Sequence, residues 1–293
     1  MDKETLVVVY SPVCEANGAF LGLLSDWTRE AGWELELIPF HRLTDRELAW
    51  YREAGRLDDR GFRQTVFIDV FLGGRIIDSV PLSRERVARA LGLELSGEDV
   101  DVRPPVEEVT ADSFLASFLE GRVRPVPITP ETYRREMSMC LENYPFGSVD
   151  SRFHDCCRAL KEPVFEDTFR TQEMAGVFLE QVGGPVVGLL EVHPREVLRK
   201  YGFAAGREGS DEDCLTVGCY EVGRGFPRAE VIDRLMASLL KLGDRLGRPR
   251  LEGVGRMGWP GGFNPLWVYD KYGFQVAEEL RPGWKVMRRD FSD

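Results

Sequence analysis

The sequence predicts a two-domain α/β protein, the second domain built on a mixed sheet. Three observations lead there. At 293 residues the chain is comfortable for two cores. Short apolar runs bounded by turn residues alternate with helical-period segments through 1–95 and again through 122–293. Between them, residues 96–121 open on an acidic, proline-containing stretch of the kind that links domains. Within that linker, Ser113 to Leu119 is apolar enough to form a short packed helix.

In the first domain, Leu6 to Tyr10 reads as a buried strand, Ser11-Pro12-Val13-Cys14 as a turn, and Gly18 to Gly32 as a helix with Leu24 and Trp27 on one side. Trp33 to Ile38 is a second strand, and helical patterning returns from Thr44 to Arg56. Thr65 to Phe71 and Arg75 to Val80 flank Gly73-Gly74 as a hairpin, and Ser83 caps a last helix ending at Leu91.

This order of elements, with Phe71-Leu72-Gly73-Gly74-Arg75-Ile76, resembles a thioredoxin-like domain. The resemblance sets Cys14-Glu15-Ala16-Asn17 at the family's C-x-x-C place, with Asn17 where the resolving cysteine would be, and Val66 at the cis-proline position. Dithiol exchange within the site is therefore impossible. A helix N-terminus lowers a thiol pKa and would make Cys14 reactive, whereas Glu15 works against it, so reactive thiol and small packing residue both stand as readings.

The second domain opens with a strand, Val123 to Ile128. Thr129 then caps a helix with Pro130 at its first position, running to Leu141; a second helix spans Asp150 to Lys161. Ala175 to Val182 and Pro185 to Val192 form a hairpin around Gly183-Gly184, ended by His193-Pro194, and Arg195 to Asp213 reads as a polar connection. Leu215 to Val222 is the next strand, stopping at Gly223-Arg224-Gly225. A helix follows, with Pro227 at its start and Val231, Leu235, Leu239 and Leu242 at helical spacing until Gly247 and Pro249 stop it; Arg250 to Gly255 is a strand. Strand, crossover helix, strand favours a parallel or mixed pair with the helix on one face.

That order, closed by Val268-Tyr269-Asp270-Lys271-Tyr272-Gly273-Phe274, resembles the GNAT superfamily of acyl-CoA-dependent N-acyltransferases. The resemblance implies acetyl-CoA as acyl donor and an amine, on a small molecule or a protein, as acceptor. It implies that the strand end, Cys219 to Val222, orients the thioester, and that Gly223, Arg224, Gly225 and Arg228 meet the phosphates. Tyr269 takes the place of the signature tyrosine that acts as acid, and Glu221, or Glu191 on the preceding strand, the place of the base. The family's small residues in the phosphate-binding turn are replaced by Pro227, Glu230 and Ile232, and Glu230 puts a negative charge beside the anion site. The loops Glu142 to Gly147 and Trp259 to Asn264 are candidates to border the acceptor.

Composition bounds the alternatives. A net charge of −11 argues against a nucleic-acid partner. No apolar run is long enough to cross a bilayer and the start has no signal-peptide pattern, so a cytoplasmic protein without a membrane partner is expected. The six cysteines contain no C-x-x-C pair, so no metal site is expected. Two other function classes remain beside the acyltransferase: a non-catalytic binding or regulatory protein with both sites decayed, and a monothiol redox protein using Cys14.

Overall fold

The computed structural model of the chain describes residues 5–13, 17–57, 61, 68–79, 84–92, 123–137, 139, 151–223, 226–256 and 266–291. Two mixed sheets organise it. The first holds β1 (Thr5–Tyr10), β2 (Glu34–Pro39), β3 (Ile68–Leu72) and β4 (Arg75–Ser79) in the order β2-β1-β3-β4. β1 runs parallel to β2 and antiparallel to β3. The β-branched run of β1 suits its place in the middle, where Leu6, Val8 and Val9 are fully buried. Helices α1 (Asn17–Ala31) and α3 (Arg84–Leu91) cover one face through Leu24, Trp27, Val87 and Leu91, and α2 (Asp45–Glu53) covers the other through Tyr51.

The second sheet has seven strands: β5 (Val123–Pro127), β6 (Gly176–Gln181), β7 (Val186–Pro194), β8 (Cys214–Val222), β9 (Arg250–Arg256), β10 (Gln275–Arg281) and β11 (Trp284–Asp290). Their order is β10-β11-β9-β8-β7-β6-β5, antiparallel throughout except for the parallel pair β8–β9. The remaining helices are α4 (Tyr133–Glu136), α5 (Ser151–Phe169), α6 (Arg195–Lys200), α7 (Arg228–Lys241) and α8 (Leu266–Lys271). One face packs on α7 and α8 through Val231, Ile232, Leu235, Met236, Leu239 and Val268. The other packs on α4, α5 and α6, where Tyr133, Phe165 and Leu198 are buried. Each fully buried aliphatic side chain contributes roughly 1.5–3 kcal/mol through removal of its surface from water.

The first unit packs against the second. Val13, at the end of the turn after β1, is fully buried among Val164, Leu198 and Val254. Phe40 closes on Gly202 so tightly that a side chain there would collide with its ring, and His41 meets Tyr201 edge-on at 4.8 Å.

Several expectations change. The helix expected to be capped by Thr129 starts only at Tyr133: residues 129–132 form a turn in which Thr129 N–H donates to Thr132 Oγ1 at 2.8 Å. α5 continues eight residues past Lys161 with Pro163 inside it, because its buried face, Val164, Phe165 and Thr168, keeps packing beyond the proline. β7 runs two residues past Val192, taking in His193 and ending at Pro194, and the expected polar connection holds α6 and a 3-10 turn at Asp211–Asp213. The crossover helix gives way after Lys241 to a 3-10 turn ending at Gly247, whose φ of +71° needs glycine. The final hairpin β10–β11 was not anticipated. The linker at 96–121, Ser83, Cys14 and Val66 lie outside the described residues. Among the described residues no helix is long and apolar enough to cross a membrane, and no cluster of metal-ligating side chains occurs.

Candidate active site

β8 and β9 pair through three residues only: Cys214↔Arg250, Leu215↔Leu251 and Thr216↔Glu252. Two residues on, β8 is bulged. Its register against β7 steps from Val217↔Val192 to Cys219↔Glu191, leaving Gly218 as the extra residue. A bulge bends its strand and ends pairing locally, and beyond Thr216 β8 pairs with β7 alone among the described residues. Glycine is required at the bulge, since a Cβ at 218 would stand 2.8 Å from Cδ2 of His193.

Tyr269 of α8 lies against β9 one residue past the last β8–β9 pair. It is fully buried, and its ring and hydroxyl lie so close to Gly253 of β9 that no side chain would fit there. Phe274, at the end of the same motif, meets the ring edge-on at 5.2 Å. The Tyr269 hydroxyl has no hydrogen-bond partner among the described residues. Burial, and then Cys219, push it well above the usual phenol range. Tyr220 of β8 is 4% exposed with a hydroxyl likewise unpartnered. A small apolar cavity lies between β7, β8, α7 and α8, lined by Leu190, Tyr220, Ile232, Leu235, Met236 and Val268.

Past the bulge β8 alternates, while Leu215 and Val217 before it already lie in the α7 cluster. Cys219 joins the cluster of Phe165, Phe178 and Leu189 on one face, and Tyr220 and Val222 join the α7 cluster on the other. Glu221 is half-buried at the strand end, and its carboxylate accepts the Val222 N–H at 3.3 Å. Burial raises its pKa, and the Arg228 guanidinium offsets only part of that rise. A carboxylate raised in this way is better matched to accept a proton near neutral pH.

α7 begins at Arg228 behind Pro227, which provides no side-chain cap; its first intrahelical bond runs from Val231 N–H to Pro227 O at 3.0 Å. Such a helix end directs N–H groups and positive partial charge at an anion. The Glu230 charge that opposes this is met one turn on by Arg234 at 2.8 Å. Gly223 lies in the turn before the helix, where its carbonyl accepts Phe226 N–H at 3.2 Å. Arg224, Gly225 and the loops 142–147 and 259–264 lie outside the described residues.

Glu191 is engaged elsewhere. Lys161 of α5 is ion-paired with it, both fully buried, and His193 Nε2 stands 3.4 Å from its other oxygen. Burial alone would raise the Glu191 carboxyl, but Lys161 and His193 outweigh it and hold the group below the usual carboxylate range. A carboxylate so held accepts a proton less readily than one raised by burial, as Glu221 is. His193 is kept neutral by burial and shares a 2.9 Å hydrogen bond with Thr168 through Nδ1. This buried row escaped the sequence reading. Its signal was there: polar residues at alternate positions 191 and 193 of a strand, facing 161 and 168 at i, i+7 on a helix.

No protein-family model and no curated protein matches the chain. Among solved structures it is similar to an acetyltransferase, at 16% identity over 57% of this chain and 99% of that one, with a TM-score of 0.38. It is similar to PaiA N-acetyltransferase from Thermoplasma acidophilum in complex with coenzyme A, at 11% identity over 57% and 98% of the two chains and a TM-score of 0.38. A spermidine N-acetyltransferase SpeG chimera from Vibrio cholerae and hSSAT gives 11% identity over 59% and 97% with a TM-score of 0.40.

Proposed function

We propose that the chain is a cytoplasmic acyl-CoA-dependent N-acyltransferase, moving an acetyl group from acetyl-CoA to an amine of a small molecule or a protein. The catalytic part is a GNAT-like domain at 122–293, preceded by a thioredoxin-like domain at 1–95. The observation that carries the reading is the parting of the parallel strands β8 and β9 after Thr216 and Glu252, with the buried hydroxyl of Tyr269, unpartnered among the described residues, packed against Gly253 just past it. The strand-helix-strand-helix-hairpin-helix order of the first unit supports the reading of that domain.

The residues fit the donor. The start of α7 with Arg228, and Gly223, Arg224 and Gly225 shortly before it in the sequence, suit its phosphates, and Cys219 to Val222 of β8 suit its thioester as backbone partners. Acetyl-CoA supplies an activated carbonyl with a thiolate leaving group. Glu221 takes a proton from the incoming ammonium, which its raised pKa favours. Tyr269 remains protonated across the working pH range, because its pKa is raised, and gives its hydrogen to the departing sulfur.

Calorimetry with acetyl-CoA tests the reading first: saturable binding is expected, and its absence would exclude the acyltransferase. Tyr269→Phe then tests the centre. Its hydroxyl acts chiefly in the transition state, so kcat should fall by about 10- to 100-fold while the acetyl-CoA Kd stays nearly unchanged.

A further inference from the structure

We infer that Tyr220 is a second hydroxyl donor of the reacting centre, binding the thioester carbonyl oxygen. This rests on the acyltransferase reading and deepens it. Tyr220 follows Cys219 on β8, just where the strand has left β9, and shares a face with Val222 toward α7 and α8. Its ring lines the apolar cavity, and its hydroxyl, on a residue only 4% exposed, has no hydrogen-bond partner among the described residues. A phenylalanine would fill the same volume without burying an unpartnered hydroxyl, so packing alone does not explain the tyrosine. The titratable and charged groups that act on it are Tyr269 of α8, Arg228 of α7, and Glu221 and Cys219 of β8. All four belong to the site derived above.

The chemistry balances with Tyr220 as a donor that keeps its proton. The ammonium gives one proton to Glu221, and the amine lone pair forms the C–N bond while the carbonyl π pair moves onto oxygen. There the Tyr220 hydroxyl donates a hydrogen bond to the developing negative charge. The pair then returns, the C–S bond breaks with its electrons on sulfur, and sulfur takes the Tyr269 proton. A second nitrogen proton replaces the one Tyr269 gave.

The test needs no knowledge of the acceptor. Acetyl-CoA labelled with carbon-13 at the thioester carbonyl is bound to the full chain, and its carbonyl stretch is read by infrared difference spectroscopy. The stretch should move to lower frequency on binding to the unsubstituted protein and to Tyr269→Phe, and most of that shift should vanish in Tyr220→Phe. Without ligand, Tyr220→Phe should melt at the same temperature as the unsubstituted protein or higher. An equal carbonyl shift in Tyr220→Phe would overturn the inference alone. A melting point lowered by several degrees, or loss of folding, would also overturn it, because the hydroxyl would then have a structural partner. Failure of the unsubstituted protein to bind acetyl-CoA would overturn the acyltransferase reading, and this inference with it.

Discussion

The two ends of the β8–β9 pair treat buried polar groups in opposite ways. At the closed end Glu252 is fully buried, yet both its oxygens are occupied. Thr216 Oγ1 and Gly206 N–H donate to one at 2.8 and 2.9 Å, and Arg288 and Arg195 to the other at 3.2 and 3.4 Å. Arg195 is spent as fully, on Asp211 at 2.8 Å and on the carbonyls of Glu208 and Gly209 at 2.7 Å each. At the open end the hydroxyls of Tyr220 and Tyr269 have no partner among the described residues, and Glu221 carries a raised pKa. One strand pair thus separates two jobs. Where buried polar atoms satisfy one another, the chain holds itself together; where they do not, the proposed donor would have something to complete.

Substitutions at the two ends should therefore fail differently. The largest effect is expected at the closed end. Arg195→Met leaves the Glu252 charge buried and short of a donor, which should cost about 3–5 kcal/mol of stability in chemical denaturation. A loss below about 1 kcal/mol would mean the closed end is not the structural one. Arg228→Ala should weaken acetyl-CoA binding by about 1–3 kcal/mol in calorimetry, because a charge-assisted phosphate contact is lost, and should leave melting almost unchanged. The reverse pattern would move Arg228 from the ligand site to the scaffold.

The smallest effect on stability is expected of Glu221→Gln, and it concerns pH dependence. The folded pKa of Glu221 is raised above its ordinary 4.5, so the folded state binds more protons between those two values, and stability falls as pH rises through that window. The glutamine variant should lack this fall and melt slightly higher at neutral pH. An unchanged pH slope would show that Glu221 ionises normally.

Most of the second sheet was legible because its strands are apolar runs closed by glycine turns, and because the helical period of Val231, Leu235 and Leu239 admits only a crossover helix. Past Gly218 the faces of β8 follow from strand alternation, and the Val268 to Phe274 run marks the segment that carries Tyr269. What the sequence concealed depends on contacts distant along the chain. Pro163 reads as a helix end, yet the packing of Phe165 and Thr168 carries α5 through it. Arg195 looks like a surface residue until Glu252, 57 positions away, is brought beside it. The opening of β8 from β9 was also hidden, since Gly218 marks a bulge only once the register against β7 is known.

The outermost strand on the far side of the second sheet, β5, reads Val-Arg-Pro-Val-Pro. A sheet edge grows by offering its amide hydrogens and carbonyls to another extended chain, which is how soluble proteins begin to aggregate. Pro125 and Pro127 have no amide hydrogen to offer, so this border accepts one neighbour, β6, and gives a second little to hold. Fibre-like stacking through that side is thereby disfavoured at the level of covalent structure, and among the described strands any edge-to-edge self-association has to be sought at the other margins, β10, β2 and β4.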